Sequence, residues 1–117
     1  VRRKVFAERE LTNGVPVGGL DVFVNVIRQG SHVLVAACDA ELLGRTLKFG
    51  EVDFIIREEF YRGSLMDVDG AIDIVKTGTI ANLVGATVVG SALEAGIVHP
   101  KAVLDVSGVP HAHVMRM

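Results

Sequence analysis

Tryptophan is absent, tyrosine occurs once, cysteine once, and asparagine and glutamine together only four times among 117 residues. The lone cysteine, Cys38, excludes an internal disulfide and any multi-cysteine zinc site. With five Phe and one Tyr, the core has to be built from Val, Ile, Leu and Ala. Neither sign of charge dominates: 12 Lys and Arg stand against 14 Asp and Glu, for a net charge of −2. That balance excludes a general electrostatic pull toward nucleic acid or anionic lipid. The one basic cluster, Arg2, Arg3 and Lys4, reads as a solvated arm. No apolar run follows it, so no signal peptide is expected. The scarcity of amide side chains hints at a heat-adapted source.

What is present is apolar patterning. Half of the residues are hydrophobic, enough for one domain without staples. Residues 1–20, with "NGVPVGG", read as a leader of uncertain structure, and residues 21–117 as a single domain. "DVFVNVIR" alternates, and "SHVLVAAC" repeats the alternation after a short link holding Gly30, which predicts an antiparallel hairpin. "DAELLG" predicts a short helix capped by Asp39 and ended by Gly44. "EVDFIIR" is a third strand. After Asp67 as a cap, Val68, Ala71, Ile72 and Val75 fall at helical spacing. Gly78 breaks that helix, and a second is expected from Thr79 to Ala95, stopped by Gly96 and Ile97. "AVLDV" and "VPHAHVM" are the fourth and fifth strands, with Pro110 confining the last to an edge or to the strand's first residues. The expected order is β-β-(short α)-β-α-α-β-β: an α+β domain with a mainly antiparallel sheet of about five strands covered by a helical pair.

The apolar stretch "IANLVGATVVGSALEAGIV" reaches the length of a membrane span. It contains Asn82, Thr87, Ser91, Glu94 and three glycines, so a buried helix is the better reading. On a helix, Thr87, Ser91 and Glu94 share one stripe, the expected solvent face, and Asn82 points inward. Gly85 and Gly90 would each cost about 1 kcal/mol relative to Ala in a helix interior, which suggests close approach by a neighbouring backbone. A helix apolar nearly all round needs cover on most sides, so a homodimer is favoured over a monomer.

The blocks "LVAACDAELLG", "EEFYRGSLMD", "TIANLVG" and "GVPHAH" resemble, in order and spacing, a small archaeal family known only as a domain of unknown function. The resemblance runs from about Asp21 to Met117. It implies an archaeal, cytoplasmic, stand-alone domain, and supplies no activity. Cys38, Asp39, Glu41, Leu43, Gly44, Tyr61, Gly63, Asn82, Gly85, Pro110 and His111 sit on its pattern. The family pattern has Gln where this chain has His113, which argues against a two-histidine metal clamp as a shared function.

Among the side chains with chemistry, His111 and His113 stand one residue apart on a strand and so face the same way. As metal ligands they would need a third, from Cys38, Asp39 or Glu41. No metal and no cofactor is expected. Cys38 with His111 as a nucleophile–base pair lacks any flanking signature. Asp39 and Glu41 could form an acid–base pair, though Asp39 already serves as a cap. Phe60 and Tyr61 could stack a base, without the aromatic-rich strand pair of RNA-recognition sheets. Pro110 and Gly108 aim His111 at a set place, so His111 is expected to bond a polar group of "CDAELLG" or Asn82, with His113 dispensable.

Two readings stand. The first is a cytoplasmic binding or adaptor module for a protein or RNA partner, in archaeal information processing, with Asp39, Glu41, Tyr61, Asn82 and His111 as candidate binding residues. The second is a small enzyme or metal-binding protein using Asp39, Asn82 and His111. A pocket joining those three would favour the second.

Overall fold

The computed structural model describes Leu11–Thr12, Val15–Pro16 and residues 20–116. Two short strands, β1 (Leu11–Thr12) and β2 (Val15–Pro16), pair with each other. They fall in the leader, most of which lies outside the described residues. The domain proper is α+β. A six-stranded sheet runs in the order β7-β3-β4-β8-β10-β9, with β3 at Val22–Gln29, β4 at His32–Asp39, β7 at Ser64–Met66, β8 at Ile80–Val84, β9 at Val103–Val106 and β10 at Val109–Met115. A separate hairpin joins β5 (Thr46–Phe49) to β6 (Val52–Ile55). Three helices complete it: α1 (Glu58–Tyr61), α2 (Val68–Val75) and α3 (Ala86–Glu94).

The alternating segments fold as their pattern dictates. β3 and β4 form an eight-pair antiparallel ladder from Val22↔Asp39 to Gln29↔His32, turned by Gly30 at φ +61°. β9 and β10 pair around Ser107 and Gly108, whose φ values of 52° and 83° are those of a tight hairpin turn. Pro110 lies second in β10, so it interrupts only the strand's beginning. α2 starts where expected, with the Asp67 carboxylate accepting the Gly70 amide at 2.9 Å.

Two expectations need correction. The strand expected at "EVDFIIR" is not part of the main sheet; it is half of the β5–β6 hairpin, which lies over one face. The helix expected from Thr79 to Ala95 is a strand followed by a helix. Ile80–Val84 is β8, parallel to β4 and antiparallel to β10, so the sheet is mixed. A strand in the middle of a covered sheet has apolar side chains on both sides and reads as a continuous apolar run. The helix apolar on every side, which prompted the expectation of a dimer, therefore does not exist. No helix among the described residues is long and apolar enough to cross a membrane.

Gly85 is the hinge between β8 and α3. It caps the helix at φ 122° and ψ 150°, a region essentially restricted to glycine. A Cβ there would lie 2.2 Å from Cγ of Asp39. The reason is a cap supplied from another strand. The Asp39 carboxylate, at the end of β4, accepts the amides of Thr87 at 2.9 Å and Val88 at 3.0 Å. Asp39 makes no such bond to the 3-10 turn Ala40–Leu42 that follows it, contrary to the sequence expectation. At the other end, Gly96 at φ +75° lets Ile97 and Gly96 donate back to the carbonyls of Ala92 and Leu93, the glycine stop expected there.

The sheet separates two apolar layers. One face, through Val22, Val24, Val35, Ala37, Ala81, Leu83 and Ala112, packs on α2 and α3. On the other, Ala36, Cys38, Val84 and Val106 pack under Leu42, Leu47, Ile56 and Tyr61. Along α3, Val88, Val89 and Ala92 are buried, while Thr87 and Ser91 are half-buried and Glu94 is exposed, so only part of the expected stripe meets solvent. Gly85→Ala combines a forbidden φ with a collision at the capping carboxylate. It should cost about 3 kcal/mol or more, lowering Tm by about 10 °C or more. A thermal melt of that variant within a few degrees of the parent would refute this account of the hinge.

Candidate functional site

Strand alternation sorts the candidate residues between the faces. Asp39 lies on the helical face, bonded into α3. Cys38, one residue earlier, lies on the opposite face in a cross-strand row with Phe23, Val84, His111 and Leu104. A second row on that face holds Asn25, Ala36, Asn82 and His113, and a third Ile27, Leu34, Ile80 and Met115. Asn82 therefore stands on a strand, not on a helix. The structure brings Asn82 and His111 together: Nε2 of His111 lies 3.3 Å from Oδ1 of Asn82. Since that oxygen only accepts, the bond places the proton on Nε2. Tyr61 approaches the same place from α1. Asp39 and Glu41 do not join them; Glu41 is exposed in the turn after β4.

Above Asn82 and His111 opens a cleft of about 200 Å³, walled by Phe54, Ile55, Arg57, Phe60 and Tyr61. The Phe54 ring sits 5.0 Å from the His111 ring, tilted at 51°. Phe60 and Tyr61 meet edge to face at 4.9 Å. Local bonds fix this wall on the sheet. Nδ2 of Asn25 donates to the Phe60 carbonyl at 2.9 Å, and Gly63 brings the exit of α1 so near β3 that a Cβ would lie 2.2 Å from the Val24 carbonyl oxygen. The Ser107 hydroxyl donates to the Lys48 carbonyl and ties the β5–β6 hairpin to the β9–β10 turn. A larger hollow, about 460 Å³, lies between α2 and α3 among Asp69, Asp73, Lys76 and Glu94; it touches none of the candidate residues. Phe54, Ile55 and Arg57 were not singled out from sequence. Only their adjacency to the Phe60–Tyr61 pair could have signalled them.

The electrostatics disfavour covalent chemistry at Cys38. Burial, then the charges of Asp39 and Glu41, pushes the Cys38 thiol up to about 12, so no thiolate is present near neutral pH. Burial, and then Cys38, raises the Tyr61 hydroxyl. Burial raises the Asp39 carboxyl to about 6, against the opposing pull of the Thr87 and Val88 amides. His111 is lowered from 6.5, first by burial and then by His113, so its imidazole is neutral at pH 7. Among the described residues, no group of three or more His, Cys, Asp or Glu is placed to hold a metal ion.

These shifts have signed consequences for stability. The folded Asp39 carboxyl takes its proton at about 6 and the unfolded one near 3.8. Its contribution is fully present below 3.8 and lost as pH rises through 6, a change of up to about 3 kcal/mol. His111 has the opposite sign: its contribution is present above 6.5 and falls as the pH drops below that value. Asp39→Asn isolates the first effect, because it keeps one acceptor for the helix amides and cannot titrate. The stability of the parent relative to this variant should improve between pH 7 and pH 4, followed by urea melts. A difference moving the other way would mean that the helix amides outweigh burial. Native Cys38 should resist alkylation at pH 8, reacting only at the rate at which the chain unfolds; labelling within minutes in the folded protein would contradict its burial.

Comparison with known proteins agrees with this architecture. The crystal structure of an uncharacterized conserved protein from Methanopyrus kandleri superposes with a TM-score of 0.71 at 26% sequence identity, over 82% of this chain and 93% of that one. No curated protein matches. The model of the family described as "Protein of unknown function (DUF424)" matches residues 27–117, a span that holds the whole cleft and every strand of the main sheet except the first part of β3. The chain thus belongs to the DUF424 family.

Proposed function

We propose that this chain is a binding module of archaeal information processing, working in the cytoplasm, and that its partner is single-stranded RNA. The observation that carries the reading is the composition of the non-helical sheet face. Beside the cleft, the row Ile27–Leu34–Ile80–Met115 and the adjoining His113 stand outside the layer packed under the hairpin and α1 among the described residues, with His113 and Met115 exposed. Four strands at about 4.8 Å spacing and three residues along them span roughly 200 Å². A stable globular partner needs about 800 Å² from each side. The footprint suits a few residues of an extended chain. Sheet faces take single-stranded RNA through bases stacked on aromatic rings and hydrogen-bonded at their edges, and the Phe54, Phe60, Tyr61 and His111 rings of the adjoining cleft supply the stacking surface. Alternating Asn, His and aliphatic side chains offer both kinds of contact, while an extended peptide more commonly adds at a sheet edge.

The competing enzyme reading requires a carboxylate beside the imidazole of His111. Asp39 occupies the opposite face and is committed to the amides of α3, and the Cys38 thiol stays protonated. Those facts support binding over catalysis.

A net charge of −2 leaves little long-range attraction, so affinity should come from local contacts. We expect a labelled single-stranded 10-mer RNA to raise its fluorescence anisotropy on titration with the protein. The slope of log K against log salt should be near −1, the value for one or two phosphate contacts. His113→Glu and Met115→Glu, both exposed, should weaken binding about tenfold without lowering Tm. Equal affinity for the RNA duplex, or no anisotropy change at millimolar protein, would reject the RNA reading.

A further inference from the structure

The cleft has a chemistry narrower than that of the open face. Its volume of about 200 Å³ is below the roughly 300–1,000 Å³ of pockets for larger ligands, and suits a single ring system. Phe54, Phe60 and His111 give it ring-lined walls, which favour a flat occupant. Its polar groups are Asn82 and His111, and their mutual bond decides what each can still do. The Asn82 carbonyl oxygen is engaged by the Nε2 proton of His111, which leaves the Asn82 Nδ2 amide, without a partner among the described residues, as a donor. With its proton on Nε2, the neutral imidazole has Nδ1 as an acceptor. The edge bonded by Asn82 and His111 must therefore both accept and donate, and must do so uncharged. Among the described residues no carboxylate lines the cleft, so a cationic ligand would find no counter-charge there. The charged lining group among the described residues is the exposed Arg57, which can take a phosphate.

We propose that this cleft is a subsite for one nucleotide, its base held between the aromatic walls and bonded at its edge by Asn82 and His111, and its phosphate met by Arg57. The assignment rests on the RNA reading for its biological source, because the same chemistry is offered by an unpaired residue of a strand and by a free mononucleotide. Arg57 precedes the first residue of α1 and makes no side-chain cap bond, so its removal leaves the fold intact. Asn82 is half-buried on β8, and its truncation removes the donor and the acceptor that holds the His111 proton on Nε2, while the Phe54 and Phe60 rings stay in place.

The test uses the full chain labelled with ¹⁵N and four probes: uridine, uridine monophosphate, ribose 5-phosphate and a single-stranded RNA 10-mer. The subsite is supported if uridine monophosphate or the 10-mer moves the amide signals of Asn82 and His111 while ribose 5-phosphate does not. Arg57→Ala should then weaken uridine monophosphate about tenfold and leave uridine unchanged, and Asn82→Ala should weaken both. Response to the 10-mer but not to the mononucleotide assigns the base to a strand. Response to the mononucleotide alone keeps the subsite and removes the RNA reading. Shifts from the 10-mer confined to β3 and β10 away from the cleft overturn the subsite and leave RNA binding standing. Equal response to ribose 5-phosphate overturns it in favour of a bare phosphate contact, and silence with all four probes overturns both.

Discussion

The carboxylate of Asp39 at the first turn of α3 is the contact on which the arrangement turns. A negative group at a helix N-terminus satisfies amides that have no partner within the helix and meets the positive end of its dipole. Here that group comes from a strand 48 residues earlier in the chain. The bond sets the height of α3 over the sheet and dictates a residue without a side chain at Gly85. It also keeps an acidic group buried at the end of β4. It acts beside the Gly85 amide, which donates to the Pro110 carbonyl at 2.9 Å, and the packing of Val88, Val89 and Ala92 on the sheet.

The two-residue period of a strand gives the sheet a division of labour. Cys38 and Asp39 are neighbours in sequence, yet one sits under the hairpin and the other under a helix. The helical face carries the apolar contacts that hold α2 and α3. The other face is packed over one part, beneath the β5–β6 hairpin and α1, and open over the rest. Asn82 and His111 lie at the border between these parts, where side chains are half-buried: dry enough to keep an imidazole neutral and open enough to be reached.

How much of this was legible in the sequence depended on how local the cause was. The β3–β4 hairpin, the Asp67 cap and the glycine stop at Gly96 each depend on residues close together in the chain, and their patterns announced them. β8 was not legible. "IANLV" lies between β4 and β10 with Ala81, Leu83 and Val84 buried and Ile80 and Asn82 half-buried; because the half-buried Ile80 and the buried Val84 on the Asn82 face are also apolar, the sequence lacks the alternation that marks an exposed strand. Gly85 was visible, but the reason for it, the Asp39 side chain, was not. The approach of His111 to Asn82 could be anticipated from the rigid "GVPHA" segment. The wall of the cleft could not, since Phe54 and Arg57 become its neighbours only when the hairpin folds over the sheet.

The parallel pairing of β4 with β8 also orders events in time. Val35 and Ala81 are register partners, with the β5–β6 hairpin, α1, β7 and α2 strung between them. Closing such a loop costs entropy before any contact repays it, and topologies dominated by distant pairings fold more slowly than local ones. The β3–β4 and β9–β10 hairpins need only short turns and can form early. The centre of the sheet has to wait for β8 to arrive, and the carboxylate of Asp39 finds the end of α3 only then. The cleft, whose floor is made of β8 and β10, is consequently among the last parts of the molecule to exist. A nascent chain would complete this cleft only after the whole fold is complete.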